Sequence, residues 1–116
     1  MNEVNEIVDN LLSEFKRGTI VLCVMSQLFK PTYGYSLVQT LEEKGNSIDA
    51  STLYPLMRRL EGQELLNSEW ETSGNKPRKY YVLSEKGIKV YQMLCKEWNF
   101  MIKNINSLLN GGNNNG

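Results

Sequence analysis

The chain has 116 residues, enough for one domain with an adequate but modest core. Its 13 basic and 13 acidic side chains cancel to a formal net charge of zero, which argues against a protein that coats nucleic acid by bulk charge. It contains no histidine, so His-based catalysis and His-containing zinc sites are excluded, and no metal or cofactor is expected.

The two cysteines, Cys23 and Cys95, form no C-x-x-C pair and read as small apolar residues in a reducing compartment. No apolar run approaches the ~18 residues of a membrane span. The acidic start (Glu3, Glu6, Asp9, Glu14) is unlike a signal peptide, so a soluble cytoplasmic protein is the expectation. Charge is unevenly placed: the first fifteen residues hold no Lys or Arg, whereas Lys76, Arg78, Lys79, Lys86 and Lys89 crowd one stretch.

Residues 3 to 29 read as one long helix. Val4, Val8, Leu11, Phe15, Gly18, Leu22, Met25 and Phe29 recur at alternating steps of four and three, a coiled-coil-like seam. Gly18 interrupts it, as a bend or a place of close helix approach. The apolar groups before Phe15 exceed what a solvated arm needs, so a partner helix is expected against them. Lys30-Pro31 closes this helix.

A short helix follows, capped by Thr32 or Tyr33, with Leu37, Val38 and Leu41 facing the core and Gly45 as its stop. Asp49 or Ser51 caps the next helix, about 51–63, whose apolar residues Leu53, Leu56, Met57 and Leu60 share one face. Its other face shows Ser51, Thr52, Tyr54, Arg58 and Gln63. Pro55 requires either a late helix start or a distorted first turn. Hydroxyls and free N–H groups at that positive end suit phosphates. Two short helices around a Gly-containing turn fit a helix-turn-helix; a plain helical hairpin fits the same pattern.

Residues 65–72 alternate, 78–83 are β-rich, and Ser73-Gly-Asn-Lys-Pro77 is turn chemistry, so a hairpin spans about 65–83. Lys76, Arg78 and Lys79 sit near its tip. Such a tip is often merely solvated, but after a helix-turn-helix it has the place of a wing on the DNA backbone. Ser84 caps a final helix over 84–110, where Tyr91, Leu94, Trp98, Met101, Ile105 and Leu108 keep a heptad rhythm. Ile88, Cys95, Ile102 and Leu109 widen it. A helix of about 25 residues spans roughly 37 Å, far beyond a small core, which predicts a homodimer built from the first and last helices. Residues 111–116 are low-complexity and expected to be disordered.

Several segments together resemble the PadR-like family of bacterial transcriptional repressors: Arg17-Gly18-Thr19-Ile20, Tyr33-Gly34-Tyr35, Thr52-Leu53-Tyr54-Pro55-Leu56 with Arg59-Leu60-Glu61, Leu65-Leu66, and Arg78-Lys79-Tyr80-Tyr81-Val82-Leu83-Ser84-Glu85-Lys86-Gly87. They cover about residues 17 to 87 in order. One departure is that members commonly carry Gly shortly before the second strand pair begins, whereas here Gly62 is followed by Gln63-Glu64, which leaves the edge of the first strand open.

The resemblance implies a mostly α fold with a small β-hairpin, a winged helix-turn-helix over 1–83, and a single dimerising helix over 84–110, the smaller branch of the family. It also implies repression from a palindromic operator in double-stranded DNA, relieved by a small hydrophobic or phenolic effector. The expected DNA contacts are Tyr33, Ser51, Thr52, Tyr54, Pro55, Arg58, Lys76, Arg78 and Lys79. The dimer seam is expected at Val4, Val8, Leu11, Phe15, Tyr91, Leu94, Trp98, Met101, Ile105 and Leu108. An effector pocket would be walled by Phe15, Tyr91, Cys95, Trp98 and Ile102, although Trp98 also reads as ordinary dimer core. Arg59 is expected to pair with a nearby Glu. The alternative is a winged-helix protein-interaction module, which the neutral net charge favours. An enzyme is not expected, and carboxylates such as Glu42-Glu43 read as a solvated helix face.

Overall fold

A computed structural model describes residues 2–114. Helix α1 (Asn2–Ser26) runs unbroken through Gly18, where a bend or a close helix approach was expected. It stops three residues before the predicted end, because Gln27 and Leu28 turn back to donate to the carbonyls of Val24 and Met25 at 3.1 Å. Strand β1 (Thr32–Tyr33) follows, then α2 (Gly34–Glu43) and α3 (Ala50–Gly62). Gly45 closes α2 at φ +85°, a conformation that glycine adopts without a steric cost. Asp49 stands at the head of α3, without a side-chain cap bond. Pro55 therefore lies inside α3, beyond its first turn, and Ser51 loses its helical N–H donor there.

Strands β2 (Leu66–Glu71) and β3 (Arg78–Leu83) form the expected hairpin, with Leu66 opposite Leu83 and Glu71 opposite Arg78. The sheet has three strands, ordered β1-β3-β2, because Thr32 and Tyr33 pair with Tyr81 and Tyr80. Two residues are too few to show alternation, so β1 leaves no periodic signal in the sequence. Helix α4 (Glu85–Asn114) closes the chain. It carries past 110 into the predicted disordered tail, since extending a helix adds a bond per residue without a new nucleus. The last residues of that tail, 115 and 116, lie outside the described residues.

The core gathers one face from each element. Val24, Met25 and Leu28 meet Leu37 and Leu41 of α2, Leu53, Met57 and Leu60 of α3, and Leu66, Tyr81 and Leu83 of the sheet. All four apolar residues expected on the inner face of α3 are buried. Among the described residues, no buried side-chain polar atom lacks a partner. No described helix is long and apolar enough to cross a membrane.

The joint between α3 and the sheet uses Glu64 at φ +68°, a left-handed conformation that costs a residue with Cβ about 1–2 kcal/mol. Glu64→Gly should raise stability by up to about 1 kcal/mol, read as a higher urea midpoint with unchanged slope. The gain is held down because glycine also gives the unfolded chain more freedom.

Candidate nucleic-acid interface

Helix α3 buries Leu53, Leu56, Met57 and Leu60, so its opposite face must meet solvent. Ser51, Pro55 and Arg58 are exposed there. Tyr54 is half-buried, because its ring lies across Gly34 at the start of α2. A Cβ at Gly34 would sit 2.5 Å from the ring edge and 2.8 Å from the hydroxyl. The Tyr33-Gly34-Tyr35 segment thus makes room for the α3 tyrosine, a packing reason that the sequence alone did not expose.

The wing residues divide by strand alternation. Lys79 shares the inner side of β3 with Tyr81 and Leu83. Its ammonium pairs with Glu61 of α3 at 3.5 Å and lies 5.4 Å from the Tyr81 ring centroid. Its side chain is only 27% exposed. Glu61 also accepts a hydrogen bond from Ser68, so this carboxylate ties α3 to both strands. Arg78 points outward, 62% exposed, 3.6 Å from Glu71 and 4.3 Å over the ring of Tyr33. Lys76 is exposed in the hairpin tip and forms no ion pair among the described residues.

Tyr33, a candidate phosphate contact, is brought to the wing by β1 pairing, and its hydroxyl donates to Glu71. Its ring meets Tyr80 edge-on at 5.8 Å, and Tyr80 in turn donates to Glu69 at 3.0 Å. These bonds favour neutral phenols. Both tyrosines are pushed above the ordinary phenol value. The Tyr33 and Ser73 hydroxyls and the Arg78 charge hold Glu71 below the ordinary carboxylate value.

A depressed carboxylate stabilises the fold above its unfolded pKa, and that contribution is lost as pH falls through the folded value. The wing anchor should therefore persist on acidification until below the ordinary Glu range. A carboxyl-carbon NMR titration with Glu71 at or above that range would contradict this.

At the far end, α1 and α4 enclose an apolar groove of about 760 Å³, lined by Phe15, Gly18, Leu22, Trp98, Ile102 and Ile105 among others. Phe15, Trp98 and Ile102 of the expected pocket are present. Tyr91 and Cys95 are not among its walls. Tyr91 instead meets Phe29 edge-on at 5.3 Å inside the chain. A hydrogen bond with Cys95, together with partial burial, raises its phenol pKa. Gly18 opens onto the groove with no atom near its missing Cβ. Along the expected seam Val4, Val8, Leu11, Phe15, Trp98, Met101, Ile105 and Leu108 are exposed, whereas Tyr91 and Leu94 pack against the core. Cys23 and Cys95 are free and half-buried. No group of three potential metal ligands occurs among the described residues.

The family model for PadR-like transcriptional regulators matches residues 21–93, from late α1 into α4. The chain belongs to the PadR-like family. A PadR family transcriptional regulator from Eggerthella lenta, known from its crystal structure, shares 45% identity over 94% of this chain and 97% of its own, with a TM-score of 0.91. A PadR-like transcription factor from Bacteroides fragilis shares 35% identity over 85% of this chain and 98% of its own, with a TM-score of 0.71. The Bacillus subtilis PadR, solved in complex with operator DNA, is 18% identical and shows the same fold at a TM-score of 0.62, over 66% of this chain and 45% of its own. The winged-helix assignment follows from these likenesses and from the α2–α3 pair with its hairpin. The family and the matched structures are transcriptional regulators, not enzymes.

The reading from sequence missed the charge partners on the wing. Lys76, Arg78 and Lys79 are close in the chain, but only the hairpin register, which sets Glu71 opposite Arg78, and the packing of α3 on the sheet, which brings Glu61 to Lys79, show that two of them are neutralised. It also missed Arg59, which has no carboxylate partner among the described ion pairs and lines a groove with Arg17.

Proposed function

We propose that the protein is a homodimeric, operator-binding repressor in the cytoplasm, released by a small hydrophobic or phenolic effector held between α1 and α4. The observation that carries this reading is the outward face of α3. Ser51, Pro55 and the unpaired Arg58 project between a wing on one side and α1 on the other. That is the arrangement by which a recognition helix enters a major groove while a hairpin touches the backbone. The operator-bound Bacillus subtilis relative lends support at the level of fold. Dimerisation through the exposed seams would set two copies of α3 about 34 Å apart, one turn of DNA.

Fluorescence anisotropy on a duplex of the protein's own promoter region, against a random duplex, tests the reading. Equal affinity for both at low salt would sink it. Lys76→Ala should weaken binding to every sequence and flatten the salt dependence by about one ion per contact. Arg58→Ala should in addition change base preference. For the effector, phenolic acids and planar dyes should quench Trp98 emission in a Trp70→Phe background and raise the melting temperature. Silence in both would favour a filled dimer core.

Beside the neutral net charge, the internal neutralisation of Arg78 and Lys79 supports the interaction-module reading. Selective capture of the promoter duplex excludes that reading.

A further inference from the structure

We propose that Arg17 of α1 and Arg59 of α3 form a second phosphate clamp, on the flank of the recognition helix opposite the wing. The inference rests on the DNA-binding reading above and extends its footprint to a helix outside the helix-turn-helix pair. Three observations place it there.

The first is the geometry of α3. Tyr54 and Glu61 mark its wing side, since one packs on Gly34 and the other holds Lys79 and Ser68. Thr52 and Arg59 mark the other side, because they share a groove of about 470 Å³ with Arg17, Ile20 and Val21 of α1. Ser51, Pro55 and Arg58 project between the two flanks, so a duplex seated on them meets both.

The second is charge. The ion pairs of the described residues join Arg78 to Glu71, Lys79 to Glu61 and Lys86 to Glu64. None involves Arg17 or Arg59, and both are exposed. Two of the three wing cations are paired with carboxylates, Arg78 with Glu71 of the wing and Lys79 with Glu61 of α3. On the other flank Arg17 and Arg59 have no ion pair among the described residues.

The third is chemistry. Two guanidinium groups and the hydroxyls of Ser51 and Thr52 line one shallow groove. Planar guanidinium forks and hydroxyl donors are the groups that grip phosphodiester oxygens. An adjoining hollow continues along α1 past Lys16 and Arg17 but also holds Asp49, whose carboxylate opposes a phosphate. The clamp is therefore placed at the Arg17–Arg59 groove and not in that hollow.

The test compares Arg17→Gln, Arg59→Gln and the wild type by anisotropy over a salt series, on the promoter duplex and on a random duplex of equal length. Each substitution should lose affinity to the same factor on both duplexes and flatten log K against log salt by about 0.9. Arg17→Lys, which keeps the charge, should retain the wild-type slope. Lys103→Gln on α4 removes an equal charge remote from α3 and should leave the slope unchanged.

An unchanged slope in both glutamine variants, with wild-type promoter preference intact, overturns the clamp and leaves the DNA reading standing. An equal slope change in Lys103→Gln also overturns it, because the effect would then be bulk charge. A loss confined to the promoter duplex overturns it in favour of base contact. Failure of the wild type to bind either duplex at low salt overturns both inferences. Thermal melts of the variants should match the wild type, since both side chains are exposed.

Discussion

Gly87→Ala should cost about 2–3 kcal/mol of stability, although it replaces glycine by the best helix former in the third position of a helix. A Cβ at Gly87 would run into the carbonyl oxygen of Leu65 and lie 3.2 Å from Leu83 Cδ2. The oxygen belongs to backbone and cannot swing aside as a side chain would. Relief requires the start of α4 to part from the segment after α3, where the bonds are densest. Ser84 donates its backbone N–H to Leu65 at 3.0 Å and its hydroxyl to Glu64 at 2.7 Å, while the same hydroxyl accepts from Gly87 N–H at 2.9 Å. One serine thus caps α4 and ties it to the joint leading into the wing.

Separation would cost several of these bonds at about 1 kcal/mol each, against about 1 kcal/mol gained in helix propensity. The melting temperature should fall by roughly 10 °C or more. Gly111→Ala is the control: it lies in the same helix with open space around it, and should melt at the wild-type temperature or slightly above. Equal behaviour of the two variants would show that α4 does not depend on the close approach at Leu65.

The contrast between these glycines shows what a sequence can and cannot disclose. The 3.6-residue rhythm located α3 to within a residue at each end and named its buried face, because that face is a local property of thirteen residues. The hairpin was legible for the same reason: alternation and turn residues are contiguous. The partners of Tyr33 were not legible, because Tyr80 and Glu71 lie far along the chain and reach it through a two-residue strand. Lys79 looked like a free tip cation until the register set it opposite Trp70 and beside Glu61.

Tyr91 illustrates a different limit. The apolar stripe of α4 is continuous, so its rhythm cannot mark where packing against the chain's own core ends and an exposed seam begins. The structure draws that boundary between Leu94, packed on the core, and Trp98, which is exposed on the groove. Tyr91 and Cys95 fall on the near side of it or off the groove, and Met101, Ile105 and Leu108 beyond it are exposed.

That boundary makes Ile105→Asp the most informative change at the seam. Ile105 is 45% exposed in the single chain, beyond the point where α4 packs on the winged core. Within one protomer the substitution puts a carboxylate in water on a long helix, at a cost of a few tenths of a kcal/mol. In the proposed dimer the same carboxylate would be taken out of water against apolar residues such as Phe15 and Trp98, with no partner to offset its desolvation.

The expected result is a protein of unchanged helical content whose mass in solution is that of a single chain. Its melting temperature should no longer rise with protein concentration, as a dimer's does. Operator affinity should fall about 10²–10⁴-fold, because the second recognition helix is no longer delivered at a high effective concentration. Affinity for one isolated half-site should stay as it was, since Ile105 lies on α4, away from the α3 face proposed to read it. A variant that remained dimeric would show that the seam lies elsewhere on α4. A monomer that kept full operator affinity would show that pairing contributes nothing to DNA binding.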